Sequence, residues 1–151
     1  MIKLHKLVAT VGGIGYVGRG GGTLAAVALC IIYCISPAGY LTDTRQIFFT
    51  TVVLILGVWS GNEVDAIWGK DSSKVVIDEF AGMMITLLFI PLTIKSIFIG
   101  LLLFRFFDIL KPLFIRKLEK LPKGWGVMAD DVLAGIYSFI IMRFLSSYNF
   151  I

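Results

Sequence analysis

The chain has 151 residues, 58% apolar and only 16% charged, with a formal net charge of +4 and a mean hydropathy of +0.90. A soluble domain carries about 25% charged residues, and a chain this short cannot bury so much apolar surface, so a water-soluble globule is excluded and lipid is the expected solvent. The single histidine and two cysteines supply no zinc ligand set, and Cys30 and Cys34, four apart in an apolar run, read as packing residues on one helix face and not as a disulfide.

In chain order, Ile2–Val11 is expected to form a short amphipathic helix on the surface, carrying Lys3, His5 and Lys6, with His5 exposed; nothing there reads as a removable signal peptide. Gly12–Thr23 is dense in glycine. Its Gly13-x-Gly15-x-x-Gly18 spacing matches a dinucleotide fingerprint, but the required βαβ context is missing. Two readings stay open: a flexible entry loop, or a loop whose backbone N–H groups approach a phosphate where a helix starts.

Five apolar stretches follow: Thr23–Ile35, Ile47–Gly61, Phe80–Ile94, Ile97–Leu110 and Val132–Leu145. Each falls short of the roughly 20 residues of a simple spanning helix, so polar ends must extend the helices or some segments must be re-entrant. Ser36-Pro37-Ala38-Gly39, the stretch 68–73, Pro91 with Lys95, and Pro122-Lys123-Gly124-Trp125-Gly126 separate the runs. The expected fold is an all-α membrane bundle of four to five hydrophobic helices plus the short N-terminal one, in a single domain over residues 1–151.

If the stretches cross alternately, one side collects every Lys and Arg except Arg45, Lys95 and Arg143, out of 14, and every acid except Asp43, out of 10. The positive-inside rule makes that side cytoplasmic. It accounts for the cations but not for carboxylates placed at helix ends. Asp78-Glu79 opens the third stretch, Asp108 closes the fourth, and Asp130-Asp131 precedes the fifth. Singly, each pair reads as helix capping and Asp108 as a partner of Arg105 or Lys111. Together they repel unless a cation or protons intervene, and a hard divalent ion such as Mg²⁺ takes oxygen ligands of this kind. Arg105, Lys111 and Arg116 adjoin the acids and suit phosphate oxygens, or anionic lipid headgroups.

Three segments carry a resemblance. Asp78-Glu79-Phe80-Ala81-Gly82 is similar to the DE-x-x-G motif of the phosphatidylglycerophosphatase A family. Phe104-Arg105-Phe106-Phe107-Asp108-Ile109-Leu110-Lys111-Pro112 is similar to its FR-x-x-D-x-x-KP motif, and Gly126 through Asp130-Asp131 to Gly135 resembles its G-x-x-x-DD-x-x-AG motif. They occur in family order. The resemblance implies a small membrane-bound enzyme of the bacterial inner membrane, its site facing the cytoplasm. Its reaction would be Mg²⁺-dependent hydrolysis of phosphatidylglycerophosphate to phosphatidylglycerol and phosphate, with a phospholipid substrate and no nucleic-acid partner.

It further implies that Asp78, Glu79, Asp108, Asp130 and Asp131 carry metal binding and catalysis, that Arg105 and Lys111 contact phosphate, and that Gly22-Thr23 is what remains of a family phosphate loop. Gly18-Arg19-Gly20-Gly21-Gly22-Thr23 departs from that loop by losing its proline and first threonine. Gly69-Lys70-Asp71-Ser72 has serine where the family has proline. Glu63 or Asp65 takes the place of a further acid, and Asp65 joins the expected metal ligands. Attack can come from a metal-activated water or from an aspartate. Two competing classes are a CDP-alcohol phosphotransferase, whose four-aspartate signature the chain lacks, and an ion or proton transporter, which places acids near mid-membrane.

Overall fold

The computed structural model describes residues 1–69, 72–118, 121–122 and 124–151. Lys70, Asp71, Glu119, Lys120 and Lys123, which the charge pattern assigned to the cytoplasmic side, lie outside these. The described residues are helical with no strand: α1 (Ile2–Ala9), a 3-10 turn (Ile14–Val17), α2 (Gly21–Ile35), α3 (Asp43–Trp68), α4 (Ile77–Thr86), α5 (Ile94–Leu110), α6 (Ile115–Leu118) and α7 (Gly124–Ser147).

Two helices outgrow their apolar stretches. α3 runs 26 residues and α7 runs 24, and these two are long and apolar enough to cross a membrane. Polar residues extend both: Asp43 to Gln46 at the start of α3, Asn62 to Asp65 near its end, and Asp130-Asp131 in the second turn of α7. The expected third helix is corrected. α4 stops at Thr86 after 10 residues, about 15 Å at 1.5 Å per residue, whereas the apolar run continues to Ile94. The stop comes from a distant side chain. Phe89 adopts a left-handed φ of 57°, its N–H donates to Gln46 Oε1 on α3 at 3.0 Å, and Arg143 of α7 donates to its carbonyl at 3.2 Å. Thr93 and Ser96 then start α5 with a reciprocal capping box, Ser96 N–H to Thr93 Oγ1 at 3.0 Å and Thr93 N–H to Ser96 Oγ at 2.9 Å.

The bundle has two ends. At one lie the start of α2, the end of α3, the start of α4, the end of α5 and the start of α7. At the other, the α2–α3 connection faces the α4–α5 turn across a cleft of about 510 Å³ that includes Asp43, and Lys95 donates to Phe150 O at 2.5 Å. Asp43, Lys95 and Arg143 therefore sit apart from the other described acids and most of the cations, as the charge pattern requires.

The apolar core admits several hydroxyl side chains, and the exterior is strongly apolar. Thr86, Ser60, Ser96 and Ser138 are fully buried, while Ile31, Ile55, Phe98, Phe106, Ile140 and Phe144 are more than half exposed. Two of these buried hydroxyls are satisfied within their own helices: Thr86 donates to Gly82 O at 3.0 Å and Ser138 to Ala134 O at 2.9 Å. Phe104, Leu29, Met83, Leu87 and Met142 form the main core. His5, expected on the surface, is 5% exposed and packs its ring 3.9 Å from that of Trp59.

α4 and α7 make the closest crossing. A Cβ at Gly135 would lie 2.5 Å from Gly82 O, and one at Gly82 would lie 2.7 Å from Asp131 O and 2.5 Å from the Phe104 ring. Only glycine lets these backbones touch. At the same end, Asn62 Oδ1 of α3 accepts from the first N–H of α7 at 3.1 Å, satisfying one of the free donors of a helix start. Asn62→Ala is expected to destabilise the bundle by about 1 kcal/mol, the usual worth of a capping side chain, measured by denaturation in detergent micelles.

Candidate active site

The carboxylates converge because each sits one turn from a contact that fixes its helix. Asp78 and Gly82 are four apart on α4, Asp131 and Gly135 four apart on α7, and Phe104 and Asp108 four apart on α5. Residues so spaced share a helix face. The Gly82–Gly135 contact and the Phe104 ring against Gly82 therefore place Asp78, Asp131 and Asp108 together at the same end. With Glu79, Asp130, Lys111, Val75, Val127, Ser72 and Ser73, they line a cleft of about 140 Å³.

Two cations divide the five acids. Arg105 pairs with Asp108 one turn along α5. Lys111 adopts a left-handed conformation (φ 45°, ψ 53°) and closes α5, donating its N–H to Phe107 O at 2.8 Å. Pro112 bars any further helical turn. From there the Lys111 ammonium reaches Asp130 Oδ2 at 2.6 Å. Asp78, Glu79 and Asp131 form a second group: one carboxylate oxygen from each lies within 4.8 Å of the others, and the nearby Arg105 charge offsets only part of the effect of burial on Glu79. At that separation each ionised pair repels by roughly 3.5 kcal/mol at an effective dielectric near 20.

Burial, then the charges of Glu79 and Asp131, hold the Asp78 carboxyl well above the ordinary range. Burial likewise raises that of Glu79. Asp78 Oδ1, Glu79 Oε2 and Asp130 Oδ1 are shielded from solvent with no hydrogen-bond partner. Two of these orphaned oxygens, on Asp78 and Glu79, belong to the group of three carboxylates, and clustered carboxylate oxygens suit a hard divalent cation, so the residues present fit Mg²⁺.

The remaining sequence candidates are placed as follows. Asp65, half-buried in the last turn of α3, is outside the group of three and does not line the cleft. Gly22 abuts the Glu79 carboxylate. Thr23 is exposed on the first turn of α2. Arg105 and Lys111 both face the acids, not open solvent. The sequence reading passed over Ser72 and Ser73 as cleft residues; two hydroxyls shortly before an acidic pair were the available signal.

Fold and cleft together define a class: an all-helical, lipid-compatible bundle with a shielded acidic centre at one end. Within that class, the profile of the family described as phosphatidylglycerophosphatase A matches residues 7–146, and the chain belongs to that family, which makes it a phosphatase.

A Bacteroides thetaiotaomicron protein with the provisional name phosphatidylinositol-3-phosphatase is 38% identical over 147 residues, 92% of this chain and 91% of its own length. Phosphatidylglycerophosphatase A of Haemophilus influenzae is 44% identical over 99 residues, 64% of this chain and 61% of its own. That of Escherichia coli is 30% identical over 132 residues, 84% and 73% of the two chains. No solved structure matches.

Proposed function

We propose that the chain hydrolyses phosphatidylglycerophosphate to phosphatidylglycerol and inorganic phosphate, using Mg²⁺, at the cytoplasmic face of a bacterial inner membrane. The observation that carries this is the cluster of Asp78, Glu79 and Asp131, with one carboxylate oxygen of each within 4.8 Å of the others, flanked by the Arg105–Asp108 and Lys111–Asp130 pairs. Family membership supports the substrate. The apolar exterior, the two helices of spanning length and the clustering of cations at the acidic end support a multi-pass protein with that end inward. In this arrangement α4, too short to cross, enters the bilayer partway and is covered by α2, α3, α5 and α7, so its backbone is shielded by protein.

The reaction breaks the ester P–O bond. Water supplies the new P–O bond, and the departing glycerol oxygen takes a proton. Asp78, Glu79 and Asp131 would hold the cation, and Mg²⁺ bound there would supply charge neutralisation at the phosphoryl group and make a water more acidic. Arg105 and Lys111 orient the phosphoryl oxygens, turning part of their hydrogen bonding from Asp108 and Asp130 to the substrate. Asp130, released from Lys111, is placed to hold or pass a proton. The acyl chains stay in lipid, since the cleft admits only the headgroup.

Purified protein in mixed micelles is expected to release phosphate from phosphatidylglycerophosphate with Mg²⁺, to stop in EDTA and to recover on Mg²⁺ addition. The Bacteroides relative's name motivates a second reading, that the substrate is phosphatidylinositol 3-phosphate. Faster turnover of that lipid than of phosphatidylglycerophosphate in the same assay selects it. Full activity in EDTA defeats both.

A further inference from the structure

The glycine-dense segment before α2 offers two readings by sequence, and its contacts point to a third. Its small residues face the chain that leads into α4. The Ala9 carbonyl accepts from Val76 N–H at 2.9 Å. A Cβ at Gly15 would overlap the Lys74 carbonyl oxygen and lie 2.8 Å from its carbon. One at Gly21 would sit 3.4 Å from Val76 Cγ1. One at Gly22 would overlap the Glu79 carboxylate, 2.5 Å from Cδ and 3.0 Å from Cγ. The segment is thus a cradle for residues 74–79, and the space of the missing Gly22 side chain is filled by Glu79.

From this we infer that Gly22 is a positioning residue, not a phosphate contact: the absence of its side chain is what lets the Glu79 carboxylate join those of Asp78 and Asp131. Its bearing on cation binding rests on reading that group as the metal site. The contacts at Gly15 and Gly22 differ in kind. At Gly15 the obstacle is backbone, so a methyl group must move the chain. At Gly22 the obstacle is the end of a flexible side chain, so a methyl group leaves the fold in place and turns Glu79 away.

The full-length protein in detergent provides the test. Gly22→Ala is expected to weaken Mn²⁺ binding, titrated by electron paramagnetic resonance, by roughly 10–100-fold, the range for residues that orient a metal ligand. Its melting temperature stays close to wild type, while Gly15→Ala melts markedly lower. The double variant Gly22→Ala/Glu79→Asp, with an acid one methylene shorter, binds Mn²⁺ more tightly than Gly22→Ala alone.

Without divalent ions, carbodiimide labelling of Glu79, read by mass spectrometry, is faster in Gly22→Ala than in wild type. Unchanged labelling in Gly22→Ala, unchanged Mn²⁺ affinity in it, or a double variant no better than the single overturns the inference. A wild-type protein that binds no Mn²⁺ yet shows the labelling difference supports the positioning role and refutes the metal reading instead.

Discussion

Asp78→Asn and Asp131→Asn each lower phosphate release by at least about 100-fold, the scale on which enzymes lose a charged group that acts directly on the transition state. The amide keeps the shape of the carboxylate and most of its packing, so the loss is one of charge. Asp131 lies beyond the first turn of α7, whereas Asp78 lies in the first turn of α4, where a lost acid ordinarily costs stability through the helix dipole, about 0.3–1 kcal/mol. Here the sign is expected to reverse. Removing one of three mutually repelling charges relieves the cleft, and the metal-free Asn variants melt at or above the wild-type temperature. Lower activity together with equal or higher metal-free stability separates a functional acid from a capping one. Phosphate-release kinetics and thermal melts in EDTA read the two quantities.

Gly135→Leu is expected to destabilise the bundle by about 3 kcal/mol or more, at the upper end of overpacking costs, and to abolish activity with it. Gly135→Ala decides the cause. Helix propensity alone predicts a gain of about 1 kcal/mol from replacing an interior helical glycine. The new methyl would lie 2.5 Å from Gly82 O and 3.2 Å from Gly82 C, both backbone atoms that only a shift of α4 against α7 can clear. The net effect is therefore a loss. Because that shift separates Asp78 and Glu79 from Asp131, activity falls further than stability does. Denaturation in micelles, with phosphate release measured on the fraction still folded, checks both statements.

The pairs Asp78/Gly82 and Asp131/Gly135 show why the centre was legible in the sequence. Spacing by four put an acid and a small residue on one face of each helix, and charge placement put all three acidic segments at one end. The division of labour among the acids was less legible. Whether Lys111 serves phosphate or a carboxylate depends on the left-handed turn before Pro112, which aims its ammonium at Asp130. The role of Gly22 was hidden because its neighbour Glu79 is 57 positions away.

Helix lengths were the weakest expectation, for two opposite reasons. Counting apolar residues cut α3 and α7 short, since buried polar residues such as Gln46 and Asp131 continue a helix when they find neighbours inside the bundle. The same count carried α4 too far, since Leu87 to Ile90 are as apolar as the helix before them and the turn at Phe89 is held by the distant Gln46 and Arg143 side chains. His5 failed in the same way: Trp59 covers it from another helix.

The central claim is that Asp78, Glu79 and Asp131 share one divalent cation. Anomalous diffraction from crystals of the wild-type protein grown with Mn²⁺ tests it most directly. The account predicts a peak within coordination distance of an oxygen of each of the three carboxylates, and its disappearance in Asp131→Asn. A peak held elsewhere, or no bound ion in a protein that still releases phosphate, would contradict it.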